Sequence, residues 1–116
     1  GYARVSEAMR NAWAQELTTY LSKRHQIRGL FAVMDIRHSP TVLDEQMVEW
    51  FSMTGKPIHV LLTKSDKLNR ADVQKKLGEV SEILVGQYSQ VTVQVFSSLN
   101  RAGLDEARAK LIGWLS

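Results

Sequence analysis

Three short apolar runs do most to limit how this chain can fold. They are GLFAVMD (29–35), PIHVLLT (57–63) and VTVQVF (91–96). Each is hydrophobic almost throughout, whereas a strand with one wet face alternates apolar and polar side chains. Helical patterns surround them. In residues 4–24, Val5, Met9, Trp13, Leu17 and Leu21 recur every four residues on one stripe. Residues 42–54 carry Leu43, Met47, Trp50 and Phe51, with Thr41 and Asp44 spaced for a capping box. Residues 70–88 carry Val73, Leu77, Val80 and Leu84 behind Asn69, a suitable N-cap. Residues 103–115 carry Leu104, Ala107, Leu111 and Trp114.

The order is therefore αβαβαβα, with HSP, TGKP and NRAG marking turns between elements. Such alternation implies an α/β fold: a parallel sheet with helices on both faces, joined by right-handed crossovers. With 116 residues and no linker or repeat, residues 1–116 read as a single domain. All strand C-termini then share one rim, where open α/β sheets bind ligands. Three loops meet there: Asp35 to Pro40, Thr63 to Asn69, and Ser97 to Gly103.

Composition narrows the class further. The chain is 44% hydrophobic and 23% charged, as ordinary globular proteins are. No apolar stretch approaches the ~20 residues of a membrane span, and no signal peptide opens the sequence. Cysteine is absent, which excludes disulfides and thiolate metal sites and fits a cytoplasmic setting. The net charge of +3 is concentrated early. Residues 1–40 hold Arg4, Arg10, Lys23, Arg24, Arg28 and Arg37 against Glu7, Glu16 and Asp35. A basic face of this kind can steer a protein toward RNA. One reading is thus an RNA- or ribosome-binding module that works through residues 1–40 without a nucleotide. The plainer reading is a solvated helix surface.

The loop after the second apolar run, TKSD (63–66), carries the sharper chemistry. Guanine presents two adjacent donors, N1–H and the 2-amino group, which one carboxylate can accept as a fork. Adenine has an acceptor at N1 and no 2-amino group, so the carboxylate would stay desolvated and unpaired. A site built on such a bond rejects the wrong ligand by roughly 10⁴-fold in favourable cases. Asp66, three residues after Thr63, suits this role. Lys64 can lay its four-carbon stem on the base while its ammonium stays hydrated. The Thr63 hydroxyl can tie neighbouring loops together. After the next strand, FSSL (96–99) offers turn amides for guanine O6, and Ser97 and Ser98 are small enough to let that backbone approach. TKxD alone has little specificity, because a solvated helix-entry loop reads the same. Paired with SS-L after the following strand, it points to a guanine site.

Other residues have plain readings. His25, His38 and His59 are scattered without ligand spacing, so no metal site is expected. His59 lies inside a strand and reads as a hydrogen-bonded packing residue. Trp13, Trp50 and Trp114 fall on apolar helix stripes and read as packing rather than as platforms for RNA bases. The serines at 97–98 have no positioned base, so no hydrolytic triad is indicated. Asp35, Arg37 and His38 lie on the functional rim, where Asp35 and Arg37 can tie the loop together.

Taken together, GYA at the start, the long tryptophan-bearing helix, MDIRHSP (34–40), HVLLTKSDKL (59–68) and VQVFSSL (93–99) resemble the EngB-type bacterial P-loop GTPases. The resemblance spans essentially the whole chain. It implies a three-layer P-loop GTPase-like parallel sheet, a role in large ribosomal subunit assembly and division septation, and GTP or GDP as ligand. By position, Thr63, Lys64 and Asp66 would contact guanine with Ser65 as spacer, and Phe96, Ser97 and Ser98 would form the second base-contacting loop. Where the wider GTPase class has Asn, Thr63 stands, as this family commonly shows. Gly1, Tyr2 and Ala3 look like the tail of the segment after the family's DxPG motif.

The departures are as informative. No G-x-x-x-x-G-K-[ST] phosphate loop, switch threonine or DxPG is present, so the ligands of Mg²⁺ would lie in a longer parent protein. A GTPase of this type has six strands, and this chain matches the last three. It is expected to be the C-terminal part of such a domain, keeping base recognition without catalysis. Without the neighbouring phosphate-loop strand, residues 29–35 become a sheet edge with unpaired backbone groups. Such an edge invites self-association with a second copy.

Overall fold

The computed structural model describes residues 6–116. Gly1, Tyr2, Ala3, Arg4 and Val5 lie outside the described residues, as do the side chains of Arg10 and Trp13. Helices and strands alternate in the anticipated order: α1 (Glu7–Ser22), β1 (Leu30–Asp35), α2 (Val42–Ser52), β2 (Ile58–Thr63), α3 (Arg70–Leu84), β3 (Val91–Val95) and α4 (Leu104–Leu115). The strands form one parallel sheet in the order β1-β2-β3, which leaves β1 and β3 as edges. Register pairs Asp35 with Thr63, and Leu62 with Val95, so the strand ends are level where the loops emerge.

Local chemistry starts the helices where the sequence asks for it. Thr41 accepts from the Asp44 amide, and the Asp44 carboxylate accepts from the Thr41 amide, completing the capping box. Asn69 accepts from the Asp72 amide at 2.8 Å. Caps of this kind stabilise a helix by about 1 kcal/mol. Helix α3 stops at Leu84 rather than running to Tyr88: the Val85 amide makes a regular i→i−4 bond to the Ser81 carbonyl, and the Gly86 amide turns back onto that same carbonyl as an i→i−5 bond.

Strand alternation separates the two faces of the sheet. Ala32, Met34, Ile58, Val60, Leu62 and Val91 point to one face, where they pack with Val48 and Phe51 of α2 and with Val73, Val80 and Leu84 of α3. This is the core. The other face carries Phe31, Val33, His59, Leu61, Thr92 and Gln94. Helix α4 covers it through Trp114, whose ring lies 4.9 Å from that of Phe31. Cover is incomplete: Val33 on the edge strand is 63% exposed. The expectation that the apolar runs are buried on both faces therefore fails at β1.

Two helix stripes also differ from those expected. In α1 the residues at the four-residue spacing, Met9 and Leu17, are exposed, while Ala14 is buried and Leu21 reaches the core. The helix lies beside α2, to which the Thr18 hydroxyl donates at the Trp50 carbonyl, and Leu21 in its last turn packs against the core. In α2, Leu43 and Met47 are exposed and Val48 is fully buried in their place. Neither helix is sandwiched, so its stripe rotates toward whichever neighbour is present. Trp50 and Trp114 are half-buried at the margins of the core.

Candidate functional site

The rim is built by three strand ends and the loops that leave them. At the end of β2 the Thr63 hydroxyl donates to the Met34 carbonyl of β1, 3.2 Å away. This ties the two strands where their loops diverge. Lys64 follows in the left-handed region, with φ 61° and ψ 35°. A side chain there costs about 1 kcal/mol or more, a strain found most often at functional turns. Ser65–Lys67 then form a single 3-10 turn. Ser65 is buried, and its amide donates to the Phe96 carbonyl across the loops at 3.2 Å.

Asp66 sits between the second and third loops. Its Oδ1 accepts from the hydroxyl of Ser97 at 2.7 Å. Its Oδ2 has Lys67 Nζ at 3.9 Å and no closer partner among the described residues. The carboxylate is thus oriented on one oxygen and available on the other. Ser97 is fully buried; its own amide donates to the Ala102 carbonyl at 2.9 Å, and its hydroxyl also receives the Asn100 amide at 3.4 Å. The Ser97 amide is therefore engaged inside its own loop. The adjacent Ser98 is exposed, while Phe96 is half-buried with its amide on the Leu62 carbonyl. A cleft of about 290 Å³ opens against Phe96, Ser97 and Ser98, with Arg101, Leu104 and Arg108 on its far wall. A second cavity of about 300 Å³, lined by apolar residues including Leu21, Leu30 and Trp50, lies at the opposite end of the strands. The polar chemistry is on the rim, and the apolar cavity takes no part in it.

On the other side of Lys64, Asp35 ends β1. Arg37 grips its carboxylate with Nε at 3.1 Å and Nη2 at 2.9 Å, and adds its backbone amide at 2.9 Å. Lys64 Nζ approaches the same Oδ2 at 3.4 Å. Hydrogen bonds from Arg37 chiefly, and from Lys64, hold the Asp35 carboxyl well below the usual carboxylate range. His38 is exposed.

The third loop is fastened from below by residues whose part in the site was not legible in the sequence. Gln94 is buried on the α4 face, and its amide nitrogen donates to the carbonyls of Val95 at 3.1 Å and Gly103 at 2.8 Å. Its oxygen therefore faces His59 Nε2, 2.6 Å away. That contact assigns the His59 proton to Nε2, so Nδ1 accepts from the Thr92 hydroxyl at 2.6 Å. Burial pushes the His59 pKa down, against an opposing hydrogen bond from Gln94. Gly103 closes the loop at φ 82°, where an added Cβ would collide with the Val95 carbonyl and the Gln94 amide. The clue available beforehand was a polar residue in the middle of an apolar strand, twice, at His59 and Gln94.

Among the described residues no group of three His, Asp or Glu side chains converges. Among the described residues no helix is long and apolar enough to cross a membrane. Three basic side chains of the first third have partners among the described residues. Arg24 lies 4.2 Å over the Tyr20 ring, Arg28 donates to the Trp114 carbonyl, and Arg37 is held by Asp35.

No protein-family model matches the chain. Curated relatives do. It is 49% identical over 114 residues to the "Probable GTP-binding protein EngB" of Nitrosomonas eutropha, covering 98% of this chain and 51% of that protein. It is 48% identical to the proteins of the same name from Methylobacillus flagellatus and Azoarcus sp., covering 99% of this chain and 56% of each. By sequence it belongs with the EngB proteins. The chain spans about half the length of the curated relatives it matches. Among solved structures, the elongation factor SelB of Methanococcus maripaludis superposes with a TM-score of 0.69 at 17% identity, over 86% of this chain and 22% of that one. The same factor in complex with the GTP analogue GppNHp gives 0.68 at 18% identity, over 88% of this chain and 23% of that one. The fold of this EngB relative is thus that of a P-loop GTPase sheet, represented by three parallel strands and their helices.

Proposed function

We propose that this chain is the guanine-recognising half of a GTP-binding protein, and that it does not hydrolyse GTP by itself. One observation carries the reading. Asp66 stands between two strand-end loops with Oδ1 oriented by Ser97, which leaves that oxygen a second lone pair, and with Lys67 Nζ no nearer to Oδ2 than 3.9 Å, so both oxygens can accept from N1–H and the 2-amino group. Holding the carboxylate in place before the base arrives spares its ordering cost on binding. Lys64 supplies an apolar stem beside it, and the Ser98 backbone is the donor for guanine O6. Thr63 and Ser65 hold the loop, while Phe96 and Ser97 hold the next one against it.

The phosphates and their Mg²⁺ belong, in this reading, to the part of the longer protein that carries a phosphate loop. Action in large ribosomal subunit assembly and division septation, in the cytoplasm, is proposed on the EngB kinship alone. So is a ribosomal partner. Self-association of the chain through the open edge of β1 is a further part of the reading, supported by the unpaired strand and the exposed Val33.

Nucleotide preference tests it. In Asp66→Asn an amide can donate to the oxygen that replaces the 2-amino group in xanthine. Titration should show GDP binding weakened at least tenfold and xanthosine diphosphate favoured. Unchanged preference would reject the role given to Asp66.

A further inference from the structure

We propose that Asp35 is a positioning residue for Lys64: fixed by Arg37 at the end of β1, its carboxylate anchors the lysine ammonium, so that the stem already lies along the rim when a purine arrives. The proposal rests on the guanine reading of that rim and adds to it a residue from a different strand.

Three observations converge on it. The first is backbone. Lys64 takes a left-handed conformation immediately after β2, and Asp35 is the register partner of Thr63, so the turn delivers the lysine toward the end of β1. The second is the fork. Three donors of Arg37 fix both Asp35 oxygens, so the anchor is rigid and stays ionised. The third is the ion pair itself, Lys64 Nζ to Asp35 Oδ2 at 3.4 Å, on a lysine 56% exposed at its side chain. A free lysine in such a place samples many rotamers, and ordering it on binding opposes affinity. An anchor at the far end of the stem removes part of that penalty in advance. Arg37 is thereby the support of the anchor, which gives DIR (35–37) a part in the site beyond closing its own loop.

The pair is exposed, so the expected effect is modest and sensitive to salt. Asp35→Asn keeps an oxygen for the Arg37 amide but gives up the charged fork, so thermal stability should fall modestly while the chain stays folded at the temperature of the titration. It should weaken GDP binding to this chain about three- to fivefold at low salt, the range an exposed ion pair supports, and less in 1 M KCl. Lys64→Met keeps an apolar stem without the ammonium and should show a similar loss. In the Lys64→Met background, Asp35→Asn should then have no further effect. Carbon-13 relaxation of the Lys64 methylenes should report greater motion in Asp35→Asn without any ligand.

Equal loss from Asp35→Asn in both backgrounds would mean that it acts through the loop and not through Lys64, and would overturn the proposal. So would unaltered Lys64 motion, or unchanged affinity in Asp35→Asn while Asp66→Asn still switches the preferred base. If Asp66→Asn fails to switch it, or the chain takes no GDP at all, the guanine reading itself falls and the anchor falls with it.

Discussion

The two faces of the sheet are held together by different physics. Against α2 and α3 the face is apolar and closed: Ile58, Val60 and Leu62 are fully buried there. Against α4 the same strands present His59, Thr92 and Gln94, a polar chain whose last link is the Gly103 carbonyl. The first face supplies stability through area removed from water, which is non-directional. The second supplies direction. Its hydrogen bonds connect the middle of the sheet to the loop that holds Ser97, and Ser97 orients Asp66. The site is thus aimed from the polar face of the sheet, not from the face that carries the core.

Substitutions that separate the faces should differ most in stability. Leu62→Ala removes a fully buried side chain and should cost about 2–5 kcal/mol in denaturant unfolding. Val33→Ala, on the open part of the α4 face, should stay within about 0.5 kcal/mol. Comparable losses from both would mean that the second face is closed in solution.

A smaller effect should follow acidification. The neutral His59 is favoured by burial, so its folded pKa lies below the unfolded one. The unfolded state then takes up the proton first, and stability falls as pH drops through the ordinary imidazole range near ~6.5. Above that range His59 contributes no slope. Denaturant midpoints at pH 7.5 and 5.5 should show this fall in the wild type, and a smaller one in His59→Leu. Equal falls in both would place the pH dependence elsewhere.

The smallest signal concerns the edge of β1. Sedimentation of the chain at rising concentration should reveal association, and Val33→Lys should reduce it with little change in unfolding. A monodisperse monomer at high concentration would remove self-association from the functional reading.

Much of this was determined by the linear sequence. Three apolar runs alternating with helical stripes point to a parallel sheet with right-handed crossovers, though not to its strand order. The caps at Thr41 and Asn69 are local, so three or four residues decide them. The candidate site residues were legible as a group for the same reason: TKSD and FSSL follow directly on strands that must end together. Matters of relative position come from packing instead. The exposed stripe of α1, the burial of Val48 and the openness of Val33 depend on which neighbour each element meets. The grip of Ser97 on Asp66 spans 31 residues, and that of Gln94 on His59 spans 35. Hydrogen bonds need donor and acceptor within about 3 Å. No local pattern carries that distance, and chain packing alone creates it.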